Sequence, residues 1–378
     1  MCAQSKTQPI TPLRIVSIHL DNYRNLGKVR LCPGPRFNVI SGPNGAGKSN
    51  LLEAIYYISA LKSYRHSRTE DLISHDHVGC HMAARINGEV LPEDIAIVLS
   101  RTDPRKVRRN GKRPTSAAHY KTYVPAVIFH PGDIELPTGS PELRRTFIDR
   151  ILEQMDPTYT ATMNTYRHAL RSRNRILKTD SKNVASIRAY DGILASCAEV
   201  IGISRTTLLE ELSEEVSSAF HSIHGETHKV ELTYAPSVAP NRNAQLSALE
   251  ISLERDQQKG YTTRGPHADD LIIVFNKKPV KHFTSQGQNR AIVLALKTAE
   301  LQILTRKTSR VPMLLLDDVS SELDRKRNKQ FFALLADLGA QVFLSTTHPE
   351  FIILEDERED FFIENGVIEQ RKLEVAAC

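Results

Sequence analysis

The chain has 378 residues, 40% of them apolar and 25% charged, with a net charge of +6 and a sequence pI near 9.0. That length suits two packed lobes better than one small core, and the composition is that of a soluble globular protein whose basic excess tilts its partner toward polyanions. No apolar run approaches bilayer-spanning length, MCAQSKTQPITP lacks the apolar core of a signal peptide, and Cys2, Cys32, Cys80, Cys197 and Cys378 have no metal-type spacing, so a cytoplasmic protein without a membrane partner is expected.

Residues 1–12 read as a flexible tail, and residues 13–20 (LRIVSIHL) alternate like a half-buried strand. Asp21, Asn22, Tyr23, Arg24 and Asn25 follow as a turn, in which Arg24 is either a phosphate or nucleobase contact or a solvated turn arginine. Residues 37–49 then read as strand, glycine loop and helix. Phe37, Val39 and Ile40 form the strand, and Leu51, Leu52, Ala54, Ile55 and Ile58 give the helix a buried face. Between them Gly42, Pro43, Asn44, Gly45, Ala46, Gly47, Lys48 and Ser49 fit G-x-x-x-x-G-K-[ST] at every fixed position. The residue types follow from phosphate chemistry: glycines let successive N–H groups curl around phosphate oxygens, and the helix N-terminus adds its partial positive charge. Lys48 is placed to reach the β- and γ-phosphates of ATP, and the Ser49 hydroxyl to ligate Mg²⁺.

Residues 63–68 are polar and basic, and strands are expected at 82–86 and 95–99. In RKVRRNGKRP (105–114) the Asn110-Gly111 pair signals a hairpin surrounded by six Lys or Arg side chains, either a DNA contact or a soluble sheet edge. A strand at 124–129 precedes Ser140 and Pro141, which mark a helix start by capping and by proline at the first helical position. From 142 to about 220 the period is helical, with Leu143, Phe147, Ile151 and Met155, then Ile187, Tyr190, Leu194, Cys197 and Ile201. Within it Arg167, Arg171, Arg175 and Lys178 share one face, a stripe that could track a nucleic-acid backbone or be a solvated face. A strand at 230–234 and a helix at 246–258 follow. Beyond Gly260 the chain alternates strands at 271–275, 313–316 and 341–345 with helices at 291–304 and 325–338.

Met313 to Leu316 followed by Asp317 and Asp318 make a buried strand ending in carboxylates, with Asp317 on the metal side and Asp318 placed to polarise an attacking water. FTSQGQNRAIVLAL (283–296) is a polar turn leading into a helix near Gln288. Its Ser285 and Gly287 form a second anion site at a helix N-terminus. Two such sites in one chain make sense if two chains share two nucleotides head to tail.

The order of glycine loop, helical insertion, TSQGQ turn, LLLDD strand, SELD (321–324) and TTH (346–348) resembles the ABC-type ATPase heads of the SMC class. LDNYRN, SPELRRTFIDR, YRHALRSRNRILK, TTRGPHADDL and SQGQNR are similar to stretches of the RecF-type members. The resemblance covers about residues 13–348. It implies an α/β fold: an ABC-ATPase-like P-loop head (13–139 and 261–378) with a mainly helical second lobe (140–260) inserted between Walker A and the signature turn. It also implies a weak, DNA-stimulated ATPase that dimerises around two ATP molecules, binds duplex DNA and gap junctions, and helps load recombinase with RecO and RecR proteins. Carried onto this chain, Ser285, Gln286, Gly287 and Gln288 are the signature turn meeting the γ-phosphate in trans, Asp324 closes the D-loop, and His348 is the switch histidine. Asp318 stands where ABC ATPases generally have Glu, which suggests slow hydrolysis, and no Q-loop glutamine is evident between Tyr123 and Asp133, where His130 or Asp133 could take its place. The rival readings are an ABC transporter's ATPase subunit, opposed by the SQGQ turn and the arginine-bearing insertion, and a small-molecule P-loop kinase, which needs no trans signature.

Overall fold

The computed structural model describes residues 11–87, 91–224, 228–318, 332, 335–337, 339–352, 354 and 357–371. Asp324, residues 1–10 and most of the expected helix at 325–338 lie outside the described residues. Strands β1 (Thr11–Pro12), β2 (Arg14–Tyr23), β3 (Leu26–Leu31) and β4 (Phe37–Ser41) lead into α1 (Lys48–Ala60). Next come β5 (Gly79–Asn87), β6 (Glu93–Ser100), β7 (Lys106–Arg109), α2 (Ala117–Lys121) and β8 (Ala126–Phe129). Helices α3 (Pro141–Met155), α4 (Pro157–Thr179), α5 (Val184–Arg188) and α6 (Asp191–His224) follow, then β9 (Val230–Ala235), α7 (Arg242–Ile251) and α8 (Leu253–Lys259). The chain continues through β10 (Asp270–Phe275), β11 (Lys278–Pro279), α9 (Val280–Phe283), α10 (Gln286–Thr308) and β12 (Arg310–Val311). It closes with β13 (Met313–Asp317), β14 (Val342–Thr346), β15 (Arg358–Glu364) and β16 (Val367–Arg371). Two compact units result, residues 1–134 with 300–378, and residues 135–299.

In the first unit a six-stranded sheet runs β16-β15-β4-β14-β13-β8, parallel from β15 to β8 with β16 antiparallel at the edge. Strands β4, β13 and β14 are buried at every position, as a central parallel strand covered on both faces must be, and the polar Asn38 inside β4 is tolerated because it bonds the Gly34 backbone and the Val342 carbonyl. A second, antiparallel sheet runs β3-β2-β5-β6-β7. Helix α1 touches β8, β13 and β14 of the first sheet and β2 and β5 of the second. It is therefore buried all round, not on the single face expected from its pattern. Leu51, Leu52, Ile55 and Ile58 are each fully buried, contributing about 1.5–3 kcal/mol apiece. The parallel register sets Ser41 beside Thr346, Ser345 beside Asp317 and Leu316 beside Phe129. The chain thus leaves β4, β14, β13 and β8 along one edge of the sheet, the edge where open parallel sheets bind ligands.

Three expectations need correction here. β2 runs to Tyr23, which is fully buried, so the turn at 21–25 shrinks to Arg24 and Asn25. Thr11 and Pro12, assigned to the tail, pair in parallel with Arg310 and Val311. The β15–β16 hairpin was not anticipated, although Asn365-Gly366, both at positive φ, carry the same turn signal as Asn110-Gly111.

In the second unit α3 and α6 pack on the antiparallel sheet β11-β10-β9. Six residues of β10 pair with β9, which holds the chain after Gly260 in this unit, so it spans 135–299 where the sequence boundaries were 140–260. The single helix expected at 246–258 is two, α7 and α8, meeting at Ser252, and α10 starts at Gln286 instead of Gln288. Ser140 does sit at the N-cap of α3 with Pro141 behind it, but its side chain makes no capping bond. Arg144, Arg150, Arg173 and Arg205 are all buried in this unit, the last two almost completely. Arg205 bonds Asp149, Asp269 and the Pro266 carbonyl, and Arg173 bonds Asp191, Asp256 and Thr262. Contrary to the sequence expectation, the stretch Val184–Ile223 is long enough to cross a bilayer and contains an 18-residue window of mean hydropathy 1.3. Half of that window is buried, against α4, α7 and β9.

Candidate nucleotide site

The glycine loop leaves β4 at the common sheet edge and turns through Gly42 at φ +150 and Gly47 at φ +119, the latter capping α1. A Cβ on Gly42 would lie 2.2 Å from the Ile363 carbonyl oxygen of β15, so only glycine fits there. The loop is tethered from the β2–β3 turn. Asn25 Nδ2 donates to the Gly45 carbonyl at 3.1 Å, and Asn50 Nδ2 donates to Asn25 Oδ1 at 2.8 Å. Lys48 folds back across the loop, its Nζ donating to the Gly42 and Pro43 carbonyls at 2.8 and 3.0 Å. Burial lowers its pKa from the ordinary lysine value, while Asp318 and Asp317 pull it up. Such an ammonium, held by carbonyls it can exchange for phosphate oxygens, is poised for an anion.

At the end of β13, Asp317 is 4% exposed. Ser345 Oγ donates to its Oδ1 at 2.9 Å, Tyr64 Oη donates to its Oδ2 at 2.8 Å, and Arg65 Nη2 lies 3.6 Å from the same Oδ2. The Tyr64 hydroxyl is also 3.4 Å from the Ser49 carbonyl, so the start of α1 and the end of β13 converge on one phenol oxygen. Burial, then the Asp317 charge, push the Tyr64 pKa far up, and it remains a donor. Asp318 adopts φ +54, and its N–H donates to Ser345 Oγ at 2.9 Å. Ser49 and Asp317 are hard oxygen donors, the type Mg²⁺ takes alongside phosphates and water. Among the described residues no group of three or more His, Cys, Asp or Glu is placed to hold a metal.

Arg24 is not a solvated turn arginine. Its guanidinium forks onto Glu53 at 2.5 and 3.0 Å and reaches Ser67 at 2.5 Å. Glu53, fully buried in α1, also accepts from Ser63 at 2.5 Å. His348 follows β14 at the same edge, its N–H donating to Thr346 Oγ1 and its Nδ1 3.1 Å from Glu350. His130 follows β8, its ring stacked on Tyr64 at 5.1 Å, and its N–H donates to Asp133 at 2.9 Å.

The expected signature turn lies in the second unit. Ser285 N–H donates to Gln288 Oε1 and Gln288 N–H to Ser285 Oγ, a reciprocal capping box that starts α10 with Gln286 and Gly287 in its first turn. Of the basic stretches, Arg171, Arg175 and Lys178 are exposed on α4, while Arg167 sits 3.6 Å from Glu153. At the hairpin, Arg105 bonds Tyr57 and Leu61 and Arg109 bonds Glu93; Lys106, Arg108, Lys112 and Arg113 are exposed.

Sequence reasoning assigned no role to Tyr64, Glu53, Asn25, Asn50 or Ser345. The signal for the first was the polar run at 63–68 directly after the loop's helix.

The chain matches the family described as the RecF/RecN/SMC N-terminal domain over residues 14–369. It is 37% identical over 349 residues to the DNA replication and repair protein RecF of Anaeromyxobacter sp. (strain Fw109-5), covering 90% of this chain and 94% of that protein. The protein of the same name from Myxococcus xanthus (strain DK1622) is 34% identical over 346 residues, covering 89% and 91%. A solved structure of the recombination mediator protein RecF-ATPrS in the RecFOR pathway superposes with a TM-score of 0.89 at 30% identity, covering 96% of this chain and 99% of that one. The Smc head domain from Pyrococcus furiosus, at 18% identity and a TM-score of 0.57 with 96% and 98% covered, shares the fold.

Proposed function

The chain belongs to the RecF family within the RecF/RecN/SMC class, and on that premise we propose that it is a cytoplasmic ATP-driven homodimer that acts on duplex DNA in recombinational repair. It is a RecF-type DNA repair protein with an ABC-ATPase-like head, and relatives of this fold have been solved with ATP and with ATPrS. The observation that carries the ATP site is the convergence of the glycine loop, Lys48 and Asp317 at one sheet edge. Lys48 exchanges the Gly42 and Pro43 carbonyls for β- and γ-phosphate oxygens, and loop N–H groups from 42–49 receive the rest. Ser49 and Asp317 would hold Mg²⁺, which would supply positive charge against the phosphates. Asp318 orients the attacking water, and His348 supports the γ-phosphate. Arg24 Nε and Nη2 are committed to Glu53 and Ser67, so its contact with the nucleotide falls to Nη1.

Ser285, Gln286, Gly287 and Gln288 meet the γ-phosphate of a second copy, with Asp324 closing the same interface. The support is that each chain already has one complete phosphate loop, and an isologous pair would use both anion sites. DNA contact is assigned to the exposed cations Arg171, Arg175 and Lys178 and to the hairpin at Lys112, with DNA stimulating slow hydrolysis. Gap junctions, and RecO and RecR proteins, complete the proposal by family resemblance. The relatives named above are repair proteins, which gives the transporter reading no support. Lys48→Ala tests the site: losing a charge-assisted contact of about 1.5–3 kcal/mol should lower ATP affinity at least ~10-fold. A folded Lys48→Ala protein with native ATP affinity would refute it.

A further inference from the structure

The most constrained group at the metal side of the site is a tyrosine that the glycine-loop and Walker B patterns do not contain. Helix α1 ends at Ala60, and Leu61 at φ +53 turns the chain so that residues 63–65 run back past the loop. The Tyr64 ring is then clamped, edge-on to Tyr56 at 5.8 Å and stacked on His130 at 5.1 Å, with 7% of the residue exposed. A ring so fixed brings its hydroxyl within reach of two acceptors, Asp317 Oδ2 at 2.8 Å and the Ser49 carbonyl at 3.4 Å, and the nearer one is charged.

The other carboxylate oxygen is held from the opposite side. Asp318 N–H donates to Ser345 Oγ, whose own hydroxyl donates to Asp317 Oδ1 at 2.9 Å. Each Asp317 oxygen therefore accepts one hydroxyl, which fixes the plane of the carboxylate and leaves further lone pairs on both oxygens. Arg65 waits 3.6 Å from Oδ2, already hydrogen-bonded to Asn50 Oδ1. It is already an ion partner of Asp317, and with the hydroxyl removed it becomes the nearest remaining partner of Oδ2, competing with a metal ion for the same charge.

We infer that Tyr64 is a positioning residue for the metal side of the nucleotide site, its hydroxyl aiming the Asp317 carboxylate toward the Ser49 end of α1. The inference rests on Asp317 being the metal-side residue. Outer-shell partners of this kind typically change metal affinity ~10–100-fold when removed. Because the ring is also a packing element, Tyr64→Phe separates the roles by keeping both ring contacts and removing only the oxygen.

The test is Mg²⁺ titration of binding of a fluorescent ATP analogue to native protein, Tyr64→Phe, Tyr64→Leu and Asp317→Asn, with thermal unfolding of each. The expected result is a Mg²⁺ midpoint raised ~10-fold in Tyr64→Phe, with its melting temperature close to native and metal-free nucleotide binding unchanged. Tyr64→Leu should lose stability as well. If Asp317→Asn shifts the midpoint and Tyr64→Phe does not, Tyr64 is only a packing residue and the inference is overturned. If neither shifts it, the assignment of Asp317 falls, and the inference falls with it. Should Tyr64→Phe not fold, Mn²⁺ with ATP on native protein carrying ring-labelled tyrosine reads the same geometry. Paramagnetic broadening of Tyr64 is expected, and an unbroadened resonance overturns the inference.

Discussion

Replacing the loop glycines one at a time by alanine separates the cost of backbone conformation from the cost of space. Gly45 sits at φ +81 with nothing within 4 Å of a built Cβ, so alanine there pays only for the left-handed conformation, about 1–2 kcal/mol. Gly47 sits at φ +119, where a Cβ would meet Leu26 Cδ2 at 2.8 Å and Asn25 Oδ1 at 3.0 Å. Both obstacles are side chains that can move, but moving Asn25 gives up its bonds to Gly45 and Asn50. Adding ~1 kcal/mol for each lost bond to the backbone strain puts Gly47→Ala at about 3–4 kcal/mol. At Gly42 the obstacle is the Ile363 backbone oxygen at 2.2 Å, inside the strand that pairs with β4. No rotamer relieves that clash. Gly42→Ala must therefore displace β15, and a loss above ~4 kcal/mol is expected. Urea unfolding, with the slope checked for constancy, gives the three values, and ATP titration on the folded variants gives the functional order. Midpoints falling in the order Gly45, Gly47, Gly42 are expected. A Gly42→Ala protein as stable as Gly45→Ala would refute the placement of the loop against β15.

Asp318→Asn should leave Mg·ATP bound and stop turnover, whereas Asp317→Asn should raise the Mg²⁺ requirement itself; turnover at the native rate in Asp318→Asn would mean that another group positions the water. Removing Arg171 and Arg175 together should weaken binding to every duplex sequence alike and reduce the log K against log salt slope by ~0.9 per lost phosphate contact; an unchanged slope would return the stripe to a solvated face. His267 is half-buried between the Tyr166 hydroxyl at 2.6 Å and the Thr262 carbonyl at 2.9 Å, and desolvation lowers its pKa from 6.5. Its neutral form is the folded one, so this contribution to stability is complete above pH 6.5 and is lost as pH falls below it, because the unfolded chain then binds the proton more tightly. Denaturation midpoints of native and His267→Gln protein between pH 7.5 and about 5 check this: the variant should show the shallower fall, and equal falls would refute the assignment.

The parts of the site that a single segment specifies were legible from residue order. The glycine loop needs only its own spacing, and β13 only an apolar run ending in acids, because a strand covered on both faces is largely apolar. What residue order concealed are the partnerships across long separations. Arg24 looks like a turn arginine until α1 brings Glu53 to it, and Tyr64 looks like one member of a polar run until β13 arrives 253 positions later. The buried arginines were nearer to being visible. Arg173 falls four residues after Ala169 and four before Leu177 on the inner face of α4, opposite the exposed Arg171 and Arg175. That register marks it as interior, but its acidic partner Asp256 lies 83 residues away. The β15–β16 hairpin went unseen for a different reason: its alternation is short, with Phe361 and Ile363 in the core and Ile368 packed against it.

The central claim is that the nucleotide is shared between two copies, and sedimentation with and without ATP tests it most directly. Native protein should shift from monomer to dimer on adding ATP and return on adding ADP. Ser285→Arg should bind ATP with near-native affinity yet stay monomeric, because the bulky side chain fills the space where the turn meets the partner's phosphate. Mixed with Lys48→Ala, it should recover at most one composite site, formed by its own glycine loop and the other mutant's intact turn. A Ser285→Arg protein that dimerises with ATP and hydrolyses it as the native chain does would contradict the shared site.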